Sequence, residues 1–70
     1  MITVRDRRED LGWKQKELAQ KSGVGLSTVW RAEHKIPIRS LLAKKIARAL
    51  GMLITELDIL ISDAYDCEEL

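Results

Sequence analysis

The chain contains no phenylalanine, one proline, one cysteine and one histidine in seventy residues. A lone thiol, Cys67, excludes an internal disulfide and a cysteine-based zinc site, and with no signal peptide visible it points to a reducing cytoplasm. A lone imidazole, His34, leaves no Cys/His cluster. There is also no Gly-rich phosphate loop and no paired acid/base or nucleophile constellation, so an enzyme is not expected, nor a cofactor or metal. No apolar run approaches the ~18–20 residues needed to span a bilayer. At this length one domain fits, against ~100–150 residues for a typical one, and folding buries only about 60% of the unfolded chain's surface. The core must be thin. What is present, 46% apolar and 33% charged residues, suits a globular chain rather than a disordered one.

Negative charge is scarce in most of the chain and concentrated at its end. Residues 1–54 hold all twelve Lys/Arg against five acids (Asp6, Glu9, Asp10, Glu17, Glu33), a net of +7. Residues 55–70 hold no base and six acids (Glu56, Asp58, Asp63, Asp66, Glu68, Glu69), a net of −6. A basic body suggests a polyanionic partner, and the acidic end a separate task. A lopsided solvated surface is the plainer reading of the same numbers.

Gly12, Gly23, Gly25, Pro37 and Gly51 punctuate the chain, and no repeat or low-complexity stretch is visible. Thr3 suits an N-cap, and Val4, Arg8 and Leu11 share one stripe, so the pattern predicts a first helix over 2–11, stopped by Gly12. A short second helix over 15–21 turns Leu18, Ala19 and Ser22 inward. A third over 26–33 buries Val29 and Ala32 and leaves Ser27, Thr28, Trp30 and Arg31 for other faces. Pro37 makes 35–39 a loop. Ser40 suits the cap of a fourth helix through residue 50, with Leu42, Ile46, Ala49 and Leu50 inward and Lys44, Lys45 and Arg48 outward. A fifth begins near Leu53. Strand alternation is absent, so the expected fold is all-α.

The segment from Gln15 to Glu33 has the form of two short helices crossing at ~90–120°. Ala19 is small where the backbones meet, Gly23 supplies a residue free of Cβ for a turn at positive φ, and Leu18, Val24 and Val29 close the wedge. Arg8, Leu11-Gly12, Gln15, Glu17-Leu18-Ala19, Gly23-Val24, Val29, Glu33, Ala47-x2-Leu50-Gly51 and Glu56-Leu57 fall around it in a more specific pattern. On these residues the chain resembles the Cro/CI-type (XRE-like) helix-turn-helix family of phage and bacterial repressors, over about residues 2–60. The resemblance implies a compact five-helix, lambda-repressor-like DNA-binding domain, with the helix-turn-helix at helices two and three and helix three in the major groove. Residues 1–62 would form that domain, and 63–70 an acidic extension that continues the last helix or frays. Departures from the family pattern are Gly25 in place of a Ser/Thr cap, Leu26 and Trp30 in place of polar residues, Ala32 in place of a larger core residue, and Lys35 in place of a terminating Gly.

The resemblance also assigns roles. Arg8 and Glu33 match an ion pair tying helix one to the end of helix three, with Arg8 also reaching a phosphate as the lesser option. Gln15, at a helix N-terminus where free N–H groups favour anions, matches a phosphate clamp, with a solvated helix start as the alternative. Lys14, Thr28, Lys35 and Arg39 flank the same surface as phosphate contacts, with plain solvation as the alternative for the three basic ones. Base contacts fall to Leu26, Ser27, Trp30 and Arg31. Arg31 suits guanine O6/N7, worth ~1–3 kcal/mol of discrimination, or else a phosphate. Leu26 suits a thymine methyl or the start of the core. For Trp30 two readings stand: groove edge, or packing beside helix two in a core without phenylalanine. Trp13 is expected in the core, and His34 on the surface.

The implied function is a sequence-specific double-stranded DNA-binding regulator, a repressor acting by operator occupancy in a bacterial or phage cytoplasm, nucleoid-associated. The rival is an antitoxin-like or adaptor module of the same fold, which exposure of Leu26 and Trp30 together would favour. Seventy residues leave no room for a fused effector domain, so control is expected through dimerisation, a regulatory protein partner or turnover. Leu53, Leu57, Leu60, Ala64 and Cys67 recur at heptad spacing, widened by Ile54 and Ile61, which predicts a fifth helix over 53–66. Two readings stand for it: its first half closes the monomer core while the last residues fray, or its Leu53, Leu57, Leu60 and Ile61 form a homodimer interface. Such a dimer would set two recognition helices about 34–36 Å apart and require a near-palindromic operator.

Overall fold

The structure, a computed structural model, describes residues 1–63. Within them run β1 (Ile2–Thr3), α1 (Val4–Asp10), α2 (Gln15–Ser22), α3 (Leu26–Glu33), α4 (Ser40–Ala49), a 3-10 turn (Ile54–Glu56) and β2 (Leu57–Asp58). Thr3 caps α1, its hydroxyl accepting the Asp6 N–H at 3.0 Å. In α4 the apolar residues Ala43, Ile46 and Ala47 recur every three or four positions and face the interior. Lys44, Lys45 and Arg48 take the opposite, exposed side. The core is built on Val4, Leu18, Val29, Ile46 and Leu50, all fully buried, one or two from each helix or its cap. Ala43 and Ala47 let α4 approach closely. Arg7 adds a tie between the first and last helices, donating from Nε to the Leu50 carbonyl at 3.1 Å. That carbonyl is one of those a helix C-terminus leaves unpaired.

Among the described residues the chain forms four helices and a small parallel sheet, and not the expected five-helix, all-α architecture. β1 pairs with β2 in the register Ile2 to Leu57 and Thr3 to Asp58, so the first helix begins at Val4 and not at residue 2. Ser40 opens α4 as its first helical residue, with Arg39 in the N-cap position. The fifth helix does not form over the described part of 53–66. The Glu56 carboxylate accepts the Leu53 N–H at 2.9 Å, which closes a single 3-10 turn, and Leu57 then turns extended. Ile54, Thr55, Ile59 and Ile61 are β-branched, which suits extended chain better than helix. Farther on, Ile61 forms a parallel bridge with Ile38. The heptad spacing therefore lies on extended chain, and its Ala64 and Cys67 lie outside the described residues.

Leu57 and Leu53 separate the two readings of this segment. Leu57 is 3% exposed and Leu53 68% exposed. We expect Leu57→Ala to cost ~2–5 kcal/mol in urea unfolding and Leu53→Ala no more than ~0.5 kcal/mol. Equal costs would contradict the placement of Leu57 in the core.

Candidate nucleic-acid interface

The turn between α2 and α3 is set by local chemistry. At the front of α2 the Glu17 carboxylate accepts the Lys14 N–H at 2.9 Å. At its end Gly23 takes φ 77°, and its N–H returns to the Ala19 carbonyl at 3.0 Å. Val24 repeats that return at 3.2 Å, which closes the helix end. Gly25 is the N-cap of α3 in extended conformation and offers no side-chain cap. The helix starts instead on its carbonyl, which accepts from Thr28 and Val29 at 3.1 and 3.3 Å.

This start orients α3 with Val29 and Ala32 in the core and a different set outside. Leu26 and Trp30, one turn apart, are 51% and 46% exposed, and Ser27 and Arg31 are exposed beside them. Trp30 thus lies on the outer face and does not fill the core. Its ring stacks on His34 at 3.9 Å between centroids and 17° between planes. His34 Nδ1 lies 2.8 Å from the Trp30 carbonyl. A carbonyl only accepts, so Nδ1 carries a proton and Nε2 points elsewhere. Trp13, by contrast, packs half-buried on the core with Lys21 Nζ 5.0 Å from its ring centroid.

Glu33 joins three helices at the end of α3. Arg8 donates from Nε to Oε2 at 2.6 Å and from Nη2 to Oε1 at 3.2 Å. Its third donor, Nη1, reaches the Trp13 carbonyl at 2.7 Å. Gln15, the first residue of α2, donates from Nε2 to Glu33 Oε1 at 3.0 Å. The two charged side chains are 12% and 3% exposed, so the pair is a buried fork.

The remaining basic residues differ in how committed they are. Lys14 is exposed. Lys35 takes φ 60°, where glycine is favoured, and its ammonium pairs with Asp58 at the end of β2. Thr28, Arg31 and Arg39 line a groove of about 510 Å³ between α3 and the start of α4. A smaller notch of about 290 Å³ is lined by Arg5, Arg8, Gln15, Glu33 and His34. Of the four residues expected at a dimer interface, Leu53, Leu60 and Ile61 are exposed, and Leu57 is withdrawn into the core. Sequence reasoning missed the Arg7, Asp58 and Asp63 contacts. Each joins residues more than twenty positions apart, and nothing in local pattern signals them.

Two helices at a glycine turn, with α3 locked underneath and bare outside, are the geometry of a groove-reading unit. A family model described as helix-turn-helix matches residues 4–57. The chain belongs to the helix-turn-helix family. No curated protein and no solved structure matches it. As a helix-turn-helix domain it is a DNA-binding transcription regulator, and α2 and α3 are the two helices of the motif. Among its described residues no helix is long and apolar enough to cross a membrane.

The fork at Glu33 makes a direct prediction. Arg8→Ala and Glu33→Ala should each destabilise the domain by ~3–5 kcal/mol, because each leaves its partner buried without compensation. The double variant should cost less than the two together by at least ~1 kcal/mol. Additive costs in urea unfolding would show that the pair is not coupled.

Proposed function

We propose that this helix-turn-helix protein is a sequence-specific double-stranded DNA-binding repressor that acts by occupying its operator. The observation that carries the reading is the outer face of α3. It presents Leu26, Ser27, Trp30 and Arg31 to solvent, while Val29, Ala32 and the Glu33 fork fix the helix from beneath. In the complex, Arg31 takes a guanine edge, Ser27 a neighbouring base, and Leu26 and Trp30 meet thymine methyls or sugar. Lys14, Gln15, Thr28, Lys35 and Arg39 hold phosphates on either side. Gln15 keeps its bond to Glu33 as it does so. The phosphate contact thereby couples to the orientation of the reading helix. Lys35 must share its charge with Asp58, which makes it the weaker of the flanking cations.

Residues 1–62 form the DNA-binding domain in this reading, and 63–70 an acidic extension, in a protein of bacterial or phage cytoplasm associated with the nucleoid. A two-fold homodimer uses Leu53, Leu60 and Ile61, which are exposed on and after the 3-10 turn, without Leu57. Such a pair places two reading helices one DNA turn apart, on a near-palindromic operator. A second reading, an adaptor that binds a regulatory protein partner through the same helix, is favoured by one observation: the large apolar side chains of Leu26 and Trp30 stand exposed together.

Arg31→Ala should lose ~1–3 kcal/mol on the preferred duplex and relax preference at one position per half-site, whereas Gln15→Ala should weaken every duplex alike. If Arg31→Ala lowers all sequences equally, the base contact is wrong. Leu60→Lys with Ile61→Lys should give a folded monomer in sedimentation with much weaker operator binding. Sedimentation of the unchanged chain as a monomer at high micromolar concentration would contradict the dimer.

A further inference from the structure

Asp63, the last described residue, lies beside a cation proposed to hold DNA. Ile38 donates its N–H to the Leu60 carbonyl at 3.1 Å, and Ser62 donates to the Ile38 carbonyl at 2.9 Å. These bonds fasten residues 60–62 along the connection between α3 and α4, and Ser62 closes one wall of the groove that Thr28, Arg31 and Arg39 also line. The next residue, Asp63, accepts the Ser40 N–H on Oδ1 at 2.9 Å. It therefore places a carboxylate at the first turn of α4, where unpaired N–H groups and the helix dipole favour negative charge. The Ser40 backbone bond, first, and the Ser40 hydroxyl, with Arg39 and Lys44 nearby, hold its carboxyl below the usual carboxylate range. An anion from this chain therefore stands at the start of α4, beside Arg39.

The sequence beyond it extends the same charge. Residues 64–70 carry Asp66, Glu68 and Glu69 and no base. Seven residues reach at most about 25 Å, and the eight residues of α3 rise about 12 Å, so the length is enough to cross the reading helix. Arg31 on that helix and Arg39 beside Asp63 supply the opposite charge.

We propose that the acidic end from Asp63 onward is an intramolecular competitor for the DNA-binding surface formed by the start of α4, the phosphate contact Arg39 and the base contact Arg31. The proposal rests on the DNA-binding reading. Duplex displaces the carboxylates before its own phosphates settle, so affinity is lower than the basic body alone would give. The protein's cations are then partly neutralised before DNA arrives, and fewer of its interactions respond to salt. Protonation acts in the same direction as displacement. The Asp63 contact is present at neutral pH and is lost as pH falls through its lowered titration range.

The test compares the full chain with Asp63→Asn, with the combined Asp63→Asn, Asp66→Asn, Glu68→Gln and Glu69→Gln variant, and with Asp10→Asn as a control that removes one exposed acid from α1. Asparagine keeps an oxygen for the Ser40 N–H, so the fold is retained. Anisotropy with a labelled mixed-sequence duplex across a salt series reads affinity. The combined variant should bind about five-fold or more tighter at low salt, with a log–log slope steeper by about one unit, close to the ~0.9 expected for each phosphate contact regained. Asp63→Asn should exceed Asp10→Asn by about two-fold or more. In the free protein, the Ser40 amide resonance should move with pH in the acid range and cease to do so in Asp63→Asn. Equal or weaker binding by the combined variant, or equal effects of Asp63→Asn and Asp10→Asn, would overturn the competition alone. A Ser40 resonance indifferent to the Asp63 change would overturn the contact. Failure of every chain to bind duplex would overturn the DNA reading itself.

Discussion

The carboxylate of Glu33 sits where a helix least favours it, at the C-terminal end of α3, against the negative end of the helix dipole. It is also almost wholly buried. Both facts are tolerable only because the Arg8 fork and the Gln15 amide meet it together. A pair like this is a poor source of net stability, since desolvation offsets most of its attraction. Its contribution is geometric. One planar guanidinium, anchored also to the Trp13 carbonyl, sets the end of α3 against α1, and Gln15 sets the start of α2 against both. If this constellation shifts, the outer face of α3 turns with it.

That face is unusual for a helix meant to read polar base edges, because two of its exposed residues are leucine and tryptophan. The stack of His34 on Trp30 gives the indole a fixed plane, so it stands as a rigid apolar plate beside Arg31. Thymine methyls are the natural apolar feature of the major groove. The surrounding charge supplies the attraction to a polyanion that such a plate lacks. The net +7 of residues 1–54 steers duplex toward the domain without selecting sequence. The −6 of residues 55–70 weakens that attraction.

Much of this was legible in the sequence where the determining signals are local. Periodicity alone predicts the third helix over Leu26–Glu33, and the structure gives the same bounds. Gly12 and Gly51 signal helix stops and Gly23 the turn, and all three take positive φ. The family pattern, read on Arg8, Gln15, Ala19, Gly23 and Glu33, matches over 4–57. The segment after Leu53 failed for an identifiable reason. Apolar residues at 53, 57 and 60 mimic a helical seam, while the partner that draws the segment into extended form is Ile2–Thr3, more than fifty residues away. No local window holds that pairing. Ala43 and Ala47 give little sign of being core because their side chains are small, although α4 approaches its neighbours through them. Lys35 stands where glycine is usual, and its φ of 60° shows the backbone taking a left-handed turn without the glycine.

Whether the outer face of α3 reads DNA is decided by selecting bound sequences from a random duplex pool at two salt concentrations. A shared sequence pattern is expected at both, with log affinity falling linearly in log salt by about 0.9 for each phosphate neutralised. Affinity indifferent to salt, or no enrichment of any sequence, would contradict it and leave Leu26 and Trp30 as the contact surface of a protein partner.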